Sequence, residues 1–225
     1  MTKGTVSRRT DRTGEVAESG PASVAGRTFT AKGQATRARI ISAAAELVFA
    51  HGVARTGVED IQQRAGVSAS QLYHYFTDKD DLVRAVIAHQ TDGILAAQRP
   101  VLDELDSFAA LEHWRDLLVE LQEQRHCAGG CPIGSIAAEI AEDDPQARAD
   151  LVASFERWEA PIRAGLTRMR QRGELRPDAD VDTLAAALLA ALQGGLLLTQ
   201  TRRNTASLRA GLDTVLAHIR TYAAA

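Results

Sequence analysis

The sequence predicts an all-α protein: an N-terminal three-helix helix-turn-helix domain followed by a larger helical body. Three observations predict it. Apolar residues recur at three- and four-residue spacing through most of the chain, and no stretch alternates apolar with polar as a half-buried strand does. Between residues 58 and 76 lie two very short helical patterns joined only by Gly66-Val67.

The chain has 225 residues, 45% hydrophobic and 24% charged, enough to bury one large helical core. Its formal charge is −3, but residues 1–39 hold eight basic side chains against three acidic ones. A basic leading end on an acidic body suits contact with a polyanion at one end only. The longest apolar stretch, Leu184 to Leu198, is interrupted by Gln193 and a glycine pair and falls short of a bilayer-spanning run, so no membrane partner is expected. Two cysteines are too few for a disulfide framework, and the first residues lack the apolar centre of a secretion signal; the expected location is cytoplasmic.

Residues 1–33, rich in Ser, Thr, Gly and Arg, read as a disordered basic arm whose arginines could touch DNA. Residues 34–80 read as the DNA-binding domain. A first helix is expected over 36–51, with Ile40, Ile41, Ala44, Leu47 and Val48 on its core stripe and Gly52 as its stop. A second spans 58–65, opened by Gly57 and closed by Gly66. Ser68-Ala69-Ser70-Gln71 has the capping-box pattern, so a third helix opens at Ser68 and runs to about Phe76. Thr77-Asp78 then signals a new cap, with Asp80 and Asp81 placed to favour the helix dipole. Residues 81–225 read as a helical ligand-binding and dimerisation domain, with helices over 79–104, 107–126, 133–142, 144–172, 180–200 and 205–223.

Two short helices crossing steeply on a third leave the start of the helix after Ser68 free to enter a major groove about 12 Å wide. Its residues Ser68, Ala69, Ser70, Gln71, Tyr73 and His74 are small or neutral hydrogen-bonding types suited to base edges and phosphates, while Leu72 and Phe76 point inward. The string Thr56-Gly57-Val58-Glu59-Asp60-Ile61, then Ala65-Gly66-Val67-Ser68, then Leu72-Tyr73-His74-Tyr75-Phe76 with Lys79 and Leu82 resembles the signature of the tetracycline-repressor (TetR) family. The resemblance implies that Thr56, Tyr73, His74 and Lys79 hold phosphates or base edges. Position 57 departs from it, because glycine keeps capping competence but has no hydroxyl.

In the body, Leu188, Leu192 and Leu196 with Leu208, Leu212 and Leu216 are expected to form a four-helix homodimer interface. A dimer would place two readers about one DNA turn apart on a palindromic operator. Phe108, Trp114, Leu118, Cys131, Phe155 and Trp158 are candidate walls of a cavity for a small apolar or aromatic effector. The loop His126-Cys127-Ala128-Gly129-Gly130-Cys131-Pro132 admits three readings: a metal site, for which further ligands are lacking, a thiol switch at Cys127 and Cys131, or a kinked structural loop. No metal and no cofactor are expected. No nucleophile elbow, phosphate loop or HExxH motif points to an enzyme, and a helical protein-interaction module would leave the residues 72–79 unexplained.

Overall fold

The structure, a computed structural model, describes residues 29–224. They form nine α-helices: α1 (Ala31–His51), α2 (Val58–Ala65), α3 (Ala69–Tyr75), α4 (Lys79–Gln98), α5 (Phe108–Gln124), α6 (Pro132–Ile140), α7 (Pro145–Gln171), α8 (Val181–Arg202) and α9 (Ala206–Arg220), with a 3-10 turn at Val101–Glu104. A single isolated bridge, Leu175 with Ala223, is the one β pairing among the described residues.

Two boundaries differ from the sequence reading. Helix α1 begins before residue 36 and takes in residues 31–33 of the expected arm, because the Thr30 hydroxyl accepts from the Gly33 N–H at 3.2 Å and caps an extra turn. Phe29 anchors that turn, its ring centroid 5.1 Å from that of Tyr75. The rest of the arm, with its arginines, lies outside the described residues. The helix expected over 79–104 stops at Gln98, since Pro100 has no N–H to continue the ladder, and the chain resumes as the 3-10 turn.

The head packs α1, α2 and α3 around Ile40, Ala44, Val48, Ile61, Leu72 and Phe76, all buried. Helix α4 belongs to head and body together: it packs on α1 on one side and on α6 and α7 on the other. In the body, α8 packs along α9 and α7, and α5 packs on α9. By length and composition α8 could cross a membrane, yet a large share of its apolar length is buried within this bundle.

The six interface leucines need correction. Leu188, Leu192, Leu196, Leu208, Leu212 and Leu216 are all buried inside one protomer, where they help hold α8 and α9 in the bundle. Because α8 is apolar on nearly every side, spacing alone could not separate its inner stripe from its outer one. The outer stripe consists of Ala186, Ala190, Gly194 and Leu197 on α8, beside Ala210, Thr214 and Ala217 on α9. Leu197, 61% exposed, is the largest apolar group on it.

Candidate nucleic-acid interface

The turn between α2 and α3 is built locally. Gly57, at the N-cap of α2, donates its N–H to Asp60 Oδ2 at 3.1 Å, which satisfies the N–H of the cap residue, while the acceptor that a hydroxyl there would offer the first-turn N–H groups is missing. Gly66 ends α2 with φ 64°, a left-handed angle that a residue with a side chain adopts at a cost. Ser68 Oγ then accepts from Gln71 N–H at 3.2 Å, and Gln71 Oε1 accepts from Ser68 N–H at 3.0 Å. This reciprocal cap fixes the start of α3 and its approach angle.

On α3, Leu72 is fully buried, and Phe76 just beyond it is buried too, beneath the Arg37 guanidinium, 5.1 Å from its ring centroid. The opposite face carries Ser68, Ala69, Ser70, Gln71, Tyr73 and His74, all exposed, with Tyr73 at 52%. Five of the six side chains on this ridge are polar, and Ala69 is the small apolar one among them. Within the ridge, Ser68 Oγ also lies 3.1 Å from Ser70 Oγ, and Gln71 keeps its amide nitrogen for an outside partner while its carbonyl serves the cap.

Thr56 and Lys79 stand apart from that ridge. Thr56 is 2% exposed and its hydroxyl donates to the Gly52 carbonyl at 2.7 Å, so its side chain holds the α1–α2 loop and is not presented to solvent. Lys79 Nζ donates to the Val53 carbonyl at 2.8 Å and ties the start of α4 to the same loop. Its ammonium retains further protons for a phosphate.

In the body, the expected pocket residues separate into three groups. Leu118, Cys131 and Trp158 line a cavity of about 40 Å³ together with Ile94, Gln98 and Gln122. Phe155 faces a different, open groove between α6 and α8, which Cys131 also reaches. Phe108 lies under the Arg220 guanidinium, and Trp114 is wholly buried, its indole N–H donating to Gln98 Oε1 at 2.9 Å. Trp158 donates to the same oxygen at 3.1 Å, so the two tryptophans are core pillars sharing one acceptor.

The loop before α6 is strained and occupied at both ends. His126 and Cys127 take φ 52° and 55°, and Gly129 takes 87° with its Cα so close to the head that a Cβ would fall 1.9 Å from Phe49 Cζ. Cys131 caps α6, with its sulfur accepting from Gly134 N–H at 3.4 Å. Burial pushes its thiol pKa above the ordinary value, against the pull of that N–H, which opposes the thiol-switch reading. Both cysteines are free and buried, and no cluster of metal-ligating side chains occurs among the described residues.

A family model described as bacterial regulatory proteins, tetR family, matches residues 40–86, and a tetracyclin repressor-like C-terminal domain matches residues 108–215. The probable HTH-type transcriptional regulator ArpR of Pseudomonas putida is 30% identical over 171 residues, 72% of this chain and 78% of that protein. The chain belongs to the TetR family. The HTH-type transcriptional repressor DhaR of a Mycobacterium species is 23% identical over 173 residues, 75% of this chain and 84% of its own length. Among solved structures, a TetR transcriptional regulator of Chloroflexus aurantiacus superposes with a TM-score of 0.73 at 24% identity, covering 86% of this chain and 98% of that one, a likeness of fold. The protein is thus a TetR-type transcriptional regulator and not an enzyme.

In this TetR-family chain, four residues of interest escaped the sequence reading. Gln98 and Gln122 continue buried stripes, Ile87, Thr91, Leu95 on α4 and Leu111, Trp114, Leu118 on α5. A polar residue in register with such a stripe is a legible signal. Glu139 of α6 and Phe49 of α1 meet partners far away in the chain: Glu139 Oε2 accepts from Ala54 N–H at 3.2 Å, and Phe49 meets Gly129. Nothing local in the sequence marks those two.

Proposed function

We propose that this regulator is a cytoplasmic repressor that binds a two-fold symmetric operator as a homodimer and releases it when a small molecule enters the body. The observation that carries the DNA-reading role is the exposed ridge of Ser68, Ala69, Ser70, Gln71, Tyr73 and His74, held at a fixed angle by the Ser68–Gln71 cap. Tyr73 and Lys79 are the anchors: the phenol stands free of the head, and the ammonium joins the loop at Val53 to the edge of the reader. Thr56 supports that loop from within. The outer stripe of α8 and α9 is the homodimer surface, small enough in its side chains for two helix pairs to approach closely.

Two contacts support a route from body to head. Glu139 of α6 grips the α1–α2 loop at Ala54, and the loop before α6 rests on Phe49 of α1. A ligand that moves this loop shifts α1 and thereby the spacing of the two readers, provided it binds the DNA-incompetent state more tightly.

Replacing Tyr73 with alanine tests the assignment. Operator affinity falls by about 1–3 kcal/mol, the scale of one lost specific contact, while light scattering still shows a dimer. Unchanged operator affinity would sink the assignment.

A further inference from the structure

The cavity behind α5 has an unmet chemical demand. Gln122 is 6% exposed and lines the cavity, yet its buried Oε1 accepts no hydrogen bond. The other amide oxygen in that wall, Gln98 Oε1, already serves both tryptophans. A buried acceptor without a donor is destabilising, so Gln122 marks where a donor belongs. Thr199, three residues beyond the cavity-lining Leu196 on α8, is fully buried with its hydroxyl also unpartnered.

Charge supplies the second half. Arg125, at the end of α5, lines this cavity and also an open groove of about 480 Å³ bounded by Ala45 and Phe49 of α1 and His89 of α4. Pro132 is likewise shared by both spaces, so these two residues form the partition between them. Arg115, Arg157, Arg163, Arg168 and Arg172 of the body each meet a carboxylate, whereas no ion pair engages Arg125 among the described residues. The acid of the groove, Glu46, is taken by Arg64 at 2.5 Å.

Size sets the limit. About 40 Å³ holds roughly three water-sized groups, since one water needs about 10–15 Å³, and it falls well short of the roughly 150 Å³ that accommodates benzene. We propose that a short-chain organic acid bearing a hydrogen-bond donor binds across this partition, its carboxylate against Arg125 on the groove side and only its donor end inside the cavity, toward Gln122 Oε1. This rests on the ligand-released repressor reading and replaces the apolar or aromatic effector with a small polar one. The way in is the groove beside Phe49, past Arg125 and Pro132.

The test uses the full-length dimer and four probes, with tryptophan fluorescence as the readout because Trp158 forms part of the wall. Glycolate, which has both groups, binds; acetate, lacking the donor, and glycolamide, lacking the charge, bind at least about tenfold more weakly; benzoate does not bind. Gln122→Leu erases the preference for glycolate over acetate, and the exposed Arg125→Gln erases the preference over glycolamide, with operator binding by the ligand-free variants retained. Benzoate or glycolamide binding as well as glycolate, no glycolate binding, or an undiminished response in Gln122→Leu overturns the ligand class. Ligand-free protein that fails to bind a symmetric operator selected from genomic fragments overturns the repressor reading instead.

Discussion

The head and the body treat their polar groups in opposite ways. Around the reader, the polar side chains at the helix starts have partners: Thr56 with Gly52, Ser68 with Gln71, Asp78 with Asp81, and Lys79 with Val53. In the body, Gln122 Oε1 and Thr199 Oγ1 are buried without hydrogen-bond partners among the described residues. The contrast teaches that the reader is held by local hydrogen bonds, while the body keeps buried polar atoms whose hydrogen-bonding capacity is unmet, a lack that the proposed ligand would relieve.

The comparison breaks most visibly where the body is fully satisfied. Gln98→Leu strands two buried indole N–H groups and lowers stability by about 2–6 kcal/mol, at about 1–3 kcal/mol for each orphaned donor, measured by chemical denaturation. A neutral result would mean that the shared acceptor is not structural. In the head, Ser68→Ala removes the cap of α3 and costs about 0.5–2 kcal/mol, with faster amide exchange confined to α3. Uniformly faster exchange would show that the head has no separately held reader.

Thr199→Val carries the opposite sign. Replacing an unpartnered hydroxyl with a methyl group of similar shape raises the melting temperature of the ligand-free protein, corresponding to up to about 1 kcal/mol. A drop would mean that the hydroxyl is satisfied. The smallest effect concerns Cys131: burial raises its thiol pKa, so iodoacetamide labels the folded protein slowly at neutral pH and faster only as pH passes the ordinary thiol range. Rapid labelling at pH 7 would restore the thiol switch.

What could be read from the chain divides along the same line. Helix starts in the head rest on signals three residues apart, such as Ser68 with Gln71, so composition and order suffice to place them. The roles of Thr56 and Lys79 depend on carbonyls at Gly52 and Val53, and Lys79 reaches across 26 residues to find its partner. In the body, an all-round apolar helix such as α8 gives no clue to which leucines meet α9 and which face outward, so spacing cannot tell the buried Leu192 from the exposed Leu197. Of the two tryptophans read as cavity walls, Trp158 lines the cavity and Trp114 does not, and the acceptor on α4 that they share leaves no mark in the spacing of α5 or α7.

The partition formed by Arg125 and Pro132 has a thermodynamic corollary. Coupling through a common wall is reciprocal: whatever factor the ligand takes from operator affinity, the operator takes from ligand affinity. Under the proposed ligand-released repression, protein held on DNA is a poorer sensor than protein in free solution. The ligand concentration at which such a regulator would respond is then set by the number of operator sites as well as by the chemistry of the cavity.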